Sequence, residues 1–243
     1  SEIENYDLRL DWSLSETDLI SWSFFYKDIL KPIQATKRHK DLLIMRDDVP
    51  LAFEQGSDTF INSESAEVYG LEMEWKKGLA DISEYLNGIR IGGNLTWSQS
   101  SVVLSELEKG LFPSNPSQES YKYLRVADRQ ERALEGQSEW IYTFDLSYSN
   151  EDWGTLSTLV YSYYDSRLHA AAFEYPDDLW EDGFSNLDFI HSHKFGKGMD
   201  WQIKFAAKNL TAEDRIVRIK GTSAVEEKYA TSRVYSISLE KSF

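Results

Sequence analysis

The chain has 243 residues, with 41 Asp and Glu against 26 Lys and Arg, a net charge of −15 and a pI near 4.7, which argues against a nucleic-acid binder, a class that carries a basic face. It has no cysteine, which excludes a disulfide scaffold and any thiolate metal site. Aromatic residues make up 14% while mean hydropathy is −0.50, and no apolar run reaches the roughly 18 residues of a membrane helix; membrane strands need only about 9–11 residues with every second one apolar, and a hydropathy average passes over them.

The opening SEIENYDLRL has neither a basic n-region nor an apolar h-region, so it does not read as a signal peptide, and the chain is expected to be mature, soluble or truncated. Nine segments then alternate with a period of two, the mark of strands with one apolar face. In NYDLRLDWSL, Tyr6, Leu8, Leu10, Trp12 and Leu14 share one face, with Asn5, Asp7, Arg9, Asp11 and Ser13 on the other. After the turn SETD, LISWSFFYK sets Ile20, Trp22, Phe24 and Tyr26 against Ser21, Ser23 and Lys27. EVYGLEMEW sets Tyr69, Leu71, Met73 and Trp75 against Glu72 and Glu74. IRIGGNLTWSQ sets Ile89, Ile91, Leu95 and Trp97 against Arg90, Asn94, Thr96 and Ser98. EWIYTFDLSYS sets Trp140, Tyr142, Phe144, Leu146 and Tyr148 against Glu139, Thr143, Asp145 and Ser147. TLSTLVYSYY is apolar on parts of both faces, and FSNLDFIHSHKF puts His191 and His193 with Leu187 and Phe189. WQIKFAAKNL comes next, and the terminal VYSISLEKSF puts Tyr235, Ile237, Leu239 and Phe243 opposite Ser236, Ser238, Glu240 and Ser242.

The connections alternate in length. SETD, NEDWG and GKGMD are short, and KKGLADISEYLNG is long enough for one helical turn. Those after the second, fourth, sixth and eighth strands are long and carry the prolines and much of the charge; the first is KPIQATKRHKDLLIMRDDVPLAFEQGSD, read as a long loop. Short turns at one rim and long loops at the other characterise outer-membrane barrels. Two architectures share the alternation. A soluble β-sandwich would bury the apolar face, whereas a membrane barrel would turn it to lipid and line its lumen with the polar one. Rings near the strand ends suit the aromatic girdles of a barrel, and so do the strand length and the mixed charges of the polar face.

The ordered set ENYDLRLDWSLSETDLISWSFFYKDILKPIQ, SAEVYGLEMEWKKGL, LNGIRIGGNLTWSQS, GQSEWIYTFDLSYSNEDWGTLSTLVYSYYDSRL, LDFIHSHKFG, FAAKNLT and the terminal strand resembles the C-terminal barrel part of TonB-dependent outer-membrane receptors across essentially the whole chain. The resemblance implies an all-β, antiparallel transmembrane barrel wall: about nine C-terminal strands of a barrel of about 22, with plug domain and signal peptide outside residues 1–243. It implies energised uptake of a scarce, large solute of the ferric siderophore, cobalamin or glycan class across the outer membrane of a Gram-negative bacterium. The partners implied are outer-membrane lipid and lipopolysaccharide, the TonB complex through the plug, the outer-membrane assembly machinery and a small-molecule or iron-chelate ligand. Proteins of this type end on an aromatic strand that the assembly machinery reads; Ile237, Leu239 and Phe243 match, and Lys241 departs, since an apolar residue is more usual there. A small passive barrel, as pore or adhesin, and a soluble sandwich binding module are the alternatives.

No G-x-S-x-G, H-E-x-x-H or Gly-rich phosphate loop occurs, so neither a catalytic residue nor a cofactor or metal site is read. His191 and His193 share a strand face, a spacing that can grip a metal, but no third ligand is evident beside them. Lys37, Arg38, His39 and Lys40 form a basic run that would meet lipopolysaccharide phosphates or an anionic ligand from an extracellular loop; a solvated loop is the simpler account. Asp177, Asp178, Glu181 and Asp182 cluster in EYPDDLWEDG at a spacing that fits no EF-hand, so they read as a solvated turn. Arg9, Glu72, Glu74, Arg90 and Asp145 are expected to face the lumen, as a salt-bridge ladder or as contacts to plug or substrate.

Overall fold

The computed structural model describes residues 1–15, 17–46, 49–105, 130–172 and 178–242, without the side chains of 35–46, 49–59 and 172. Among the described residues the strands are β1 (Glu2–Ser13), β2 (Leu19–Leu30), β3 (Ile33–Arg46), β4 (Val49–Asn62), β5 (Ser65–Gly78), β6 (Ile89–Val103), β7 (Glu131–Arg132), β8 (Trp140–Asn150), β9 (Thr155–Tyr164), β10 (Arg167–Ala172), β11 (Leu179–Glu181), β12 (Phe184–Phe195), β13 (Trp201–Lys208), β14 (Arg215–Ile219), β15 (Val225–Tyr229) and β16 (Val234–Lys241). A single 3₁₀ turn, Glu84–Leu86, sits in the connection long enough to hold one, with the Ser83 hydroxyl accepting from the Tyr85 N–H at 3.4 Å.

The nine alternating segments form one antiparallel sheet in the order β1-β2-β5-β6-β8-β9-β12-β13-β16, with β7 appended to β6. Each wall strand therefore pairs with its neighbours in the chain. Among the described residues β1 pairs only with β2, and β16 only with β13. The register keeps like with like. Leu10, Trp22, Met73, Leu95, Tyr142 and Tyr163 stand in one row, and Asp11, Ser21, Glu74, Asn94, Thr143 and Ser162 in the next. One face of the wall is thus apolar and the other polar, and a slip of one residue would exchange them.

Among the described residues the apolar face has no second layer against it. Leu10 is 56% exposed, Trp12 67%, Phe24 48%, Phe144 43% and Ile237 72%, far from the burial a sandwich core imposes. Rings line it in two belts. Towards the long-loop end Trp97 lies 6.1 Å from Tyr69 and 6.4 Å from Trp140, and Tyr142 stacks on Tyr163 at 5.0 Å. Towards the short-turn end Phe195 stacks on Trp201 at 6.4 Å. Two glycines make close packing possible. A Cβ at Gly93 would lie 2.5 Å from Trp75 Cζ2, and one at Gly70 would collide with the Trp97 carbonyl and reach within 2.6 Å of the Phe25 ring.

The long connections also hold strand structure, which the sequence reading missed. They build a six-stranded sheet in the order β15-β14-β11-β10-β3-β4, in which β10 and β3 run parallel through Ala171↔Thr36 and Ala172↔Lys37. The segment read as a loop after β2 is a hairpin, β3–β4, continuing the β2–β5 pair. Lys31, at φ 51°, and Pro32 interrupt the ladder, which is carried across by Lys31 N–H to Glu64 O and Ser63 N–H to Pro32 O, each 3.1 Å. Ala170, Leu179 and Val217, with Ile219 against them, form the small hydrophobic core of this second sheet.

Candidate functional site

Arg9, Glu72, Glu74, Arg90 and Asp145 all lie on the polar face by register. Only Arg9 and Glu74 among them are joined. Arg9 reaches Glu74 Oε2 at 3.2 Å and Asp11 Oδ1 at 2.8 Å, and Lys76 gives Glu74 a second partner at 2.8 Å. β1 and β5 are not adjacent, and Arg9 spans β2 because Ser21 and Ser23 there are short. Arg90 lines a cavity of about 410 Å³ at the short-turn end with Asn87, Asn150 and Asp152. In the neighbouring turn Asp18 accepts from Lys77 Nζ at 2.7 Å and from the Gly78 N–H at 2.9 Å. These donors, Lys77 first, hold its carboxyl down at about 2.

The two paired histidines project on the apolar face beside β9. His191 Nδ1 is 2.9 Å from Ser157 Oγ, and His193 Nδ1 is 3.0 Å from Thr155 Oγ1, while His193 also stacks on Phe195. Among the described residues no three His, Asp or Glu side chains gather as a metal site would require.

Lys37, Arg38, His39 and Lys40 have their backbone in β3, and their side chains lie outside the described residues. The acidic cluster is not a solvated turn. Asp177 lies outside the described residues, but Asp178 is fully buried, and Glu181, 5% exposed, is held between two arginines. Arg167 Nε meets Glu181 Oε2 at 2.7 Å, and Arg215 Nε meets Oε1 at 2.8 Å. Arg218 Nε meets Asp182 Oδ2 at 2.8 Å. The Arg215 guanidinium also lies 3.4 Å from the centre of the Phe184 ring, whose other neighbour is Tyr164, stacked at 4.8 Å. The cluster is thus a charged clamp joining β10, β11 and β14 to the top of β12. Sequence reasoning passed over Arg167, Arg215 and Arg218 because they lie 14 to 36 residues from their carboxylates.

Ile237 and Leu239 stand on the apolar face of β16, 72% and 59% exposed, and Phe243 lies outside the described residues. Lys241, the departure from the family pattern, covers the Trp201 ring at 5.1 Å.

Residues 2–210 match the family described as TonB dependent receptor-like, β-barrel. No curated protein sequence matches the chain. Among solved structures it is similar to the copper transporter OprC, with a TM-score of 0.61 at 14% identity over 99% of this chain and 31% of that one. It is also similar to the ferric citrate transporter FecA, with a TM-score of 0.63 at 12% identity over 98% and 31%. A mutant of the ferric enterobactin receptor PfeA from Pseudomonas aeruginosa gives a TM-score of 0.57 at 14% identity over 99% and 31%. The chain thus spans about a third of the length of these proteins, and at such identity the likeness concerns the fold. The match over most of its length and the shared wall architecture show that the chain belongs to the family of TonB-dependent receptor β-barrels.

Proposed function

We propose that this chain is part of the wall of a TonB-dependent receptor that imports a scarce, large solute across the outer membrane. The observation that supports it best is the unpacked apolar face, ringed at two levels by aromatics: a soluble module would bury it, and lipid solvates it. On this reading the polar face lines the lumen, so Arg9, Glu72, Glu74, Arg90 and Asp145 meet plug, solute or one another. β3–β4, β10–β11 and β14–β15 are then extracellular, and the basic run Lys37 to Lys40 reaches lipopolysaccharide phosphates or the ligand. The nine wall strands are the last of about 22, with the plug and its TonB contact elsewhere in the receptor, and Ile237, Leu239 and Phe243 are what the assembly machinery reads. Relatives named for ferric citrate, ferric enterobactin and copper favour an iron or metal chelate as the solute. The chain contributes wall and recognition, not a reaction.

Two measurements on cells producing the receptor test this. Fractionation is expected to place it in the outer membrane, and uptake of its solute is expected to stop when the TonB complex is deleted. A protein recovered without detergent would favour the sandwich, and uptake that survives loss of TonB would favour a passive barrel.

A further inference from the structure

Charge is unevenly distributed along this chain. Residues 194–243 carry ten Lys and Arg against six Asp and Glu, within a protein of net charge −15. Three of those lysines lie on the polar face of β12 and β13. Lys204 stands in register between Ser192 on β12 and Ser238 on β16. Lys194 is opposite Gln202, two residues nearer the short-turn end, and Lys208 lies four residues nearer the long-loop end. At roughly 3.3 Å per residue the steps are about 7 and 13 Å, so the three ammonium groups are spread along most of the wall's height. All three are exposed.

Their surroundings differ from those of the cations on β1 and β5. Arg9 and Lys76 are already held by Asp11 and Glu74. Lys194, Lys204 and Lys208 make no ion pair among the described residues. Asp188 on the same face is occupied by the Asn186 amide and the Asn209 N–H, and Glu240 on β16 is opposite Gln202. Between Lys204 and Lys208 on the same face stands Ala206, which carries no charge.

We propose that Lys208, Lys204 and Lys194 form a cationic track down the polar face of β13 and β12, and that the solute guided along this part of the wall is an anion. The inference rests on the reading of the polar face as the lumen. A row of like charges facing water at such spacing raises the local concentration of counter-ions and disfavours cations. The polar faces of β1 and β5 differ in carrying the carboxylates Asp7, Asp11, Glu72 and Glu74 beside their cations.

The absence of cysteine from these 243 residues allows a direct test in the whole receptor. Ser238→Cys places a thiol opposite Lys204, and Asn94→Cys places one between Glu74 and Thr143. Both sites are exposed. Each variant, with the unsubstituted receptor as background, is reacted in outer membranes with sulfonatoethyl methanethiosulfonate (an anion) and with its trimethylammonioethyl counterpart (a cation). The anion-to-cation rate ratio is expected to be about tenfold higher at Ser238→Cys than at Asn94→Cys. Lys204→Gln is expected to lower it about threefold, and Lys204→Arg to keep it. If Ser238→Cys impairs folding, Ser236→Cys offers a thiol on the same face beside Ala206. Equal ratios at the two sites, a ratio indifferent to Lys204→Gln, or protection from both reagents would overturn the track. Loss of the transport reading would show instead in fractionation and TonB dependence, which these rates do not measure.

Discussion

Asp18 illustrates how one side chain can hold a turn. Its carboxylate ties Lys77 and the Gly78 N–H to the β1–β2 turn, and these contacts hold its pKa near 2, below the ordinary value of about 3.9. A depressed pKa means that the stabilisation is complete above pH 4 or so and is lost as pH falls through about 2. Hydrogen exchange at the Gly78 amide is therefore expected to stay slow at pH 5, and to become fast there in Asp18→Ala. Gly70 sets a steric limit at the same scale. Because a Cβ there meets the Trp97 carbonyl as well as Phe25, Gly70→Ala is expected to cost about 1–3 kcal/mol. Trimming the ring with Phe25→Ala is expected to restore little of it, since the carbonyl remains. The thermal midpoint of the folded band on a semi-native gel reads both variants.

At the scale of elements, the sequence showed the wall and hid what stands above it. Thr155–Tyr164 and Phe184–Phe195 form strands over the segments quoted from the sequence, although the first alternates only in part; Glu2–Ser13 and Trp140–Asn150 alternate cleanly, as a strand with one apolar and one polar face must. Leu179–Glu181 and Arg215–Ile219 are three and five residues long and are held by partners remote in sequence, so no local period announces them. In β3 and β4 the bordering prolines and the charge run read as loop, although register with the wall continues through them. The same holds for the site. Placement of Arg9, Glu72, Glu74, Arg90 and Asp145 on one face follows from parity alone, but which of them join does not, because Arg9 crosses a whole strand to find Glu74. The Arg167–Glu181–Arg215 clamp is one of these hidden contacts. Glu181→Gln is expected to destabilise the second sheet by about 2 kcal/mol, since two charge-assisted pairs are weakened together. Limited proteolysis should then cut near β10, β11 and β14 sooner, with the wall strands protected as before.

For the molecule as a whole, the proposed membrane reading gives the two faces different solvents. Met73 stands mid-strand in an apolar row, and Thr96 is in the adjoining polar one. Met73→Arg is expected to cost about 2–4 kcal/mol in a bilayer, and Thr96→Arg to be nearly neutral, as measured by the yield of folded protein in vesicles. Reversal of that order would mean that the polar face is the one against lipid.

The sheet order that repeats the chain order has one more consequence, and it concerns assembly. Among the described residues no wall strand pairs with a distant one: β5 meets β2 as soon as the β3–β4 hairpin closes, and every later strand adds to the edge left by the one before. The wall can zip up one hairpin at a time, so each closure costs the entropy of a single connection and the register is copied forward from neighbour to neighbour. Shortening a long connection should then leave the strands beyond it in place. A one-residue insertion within a wall strand should instead be propagated, turning every later side chain to the wrong solvent.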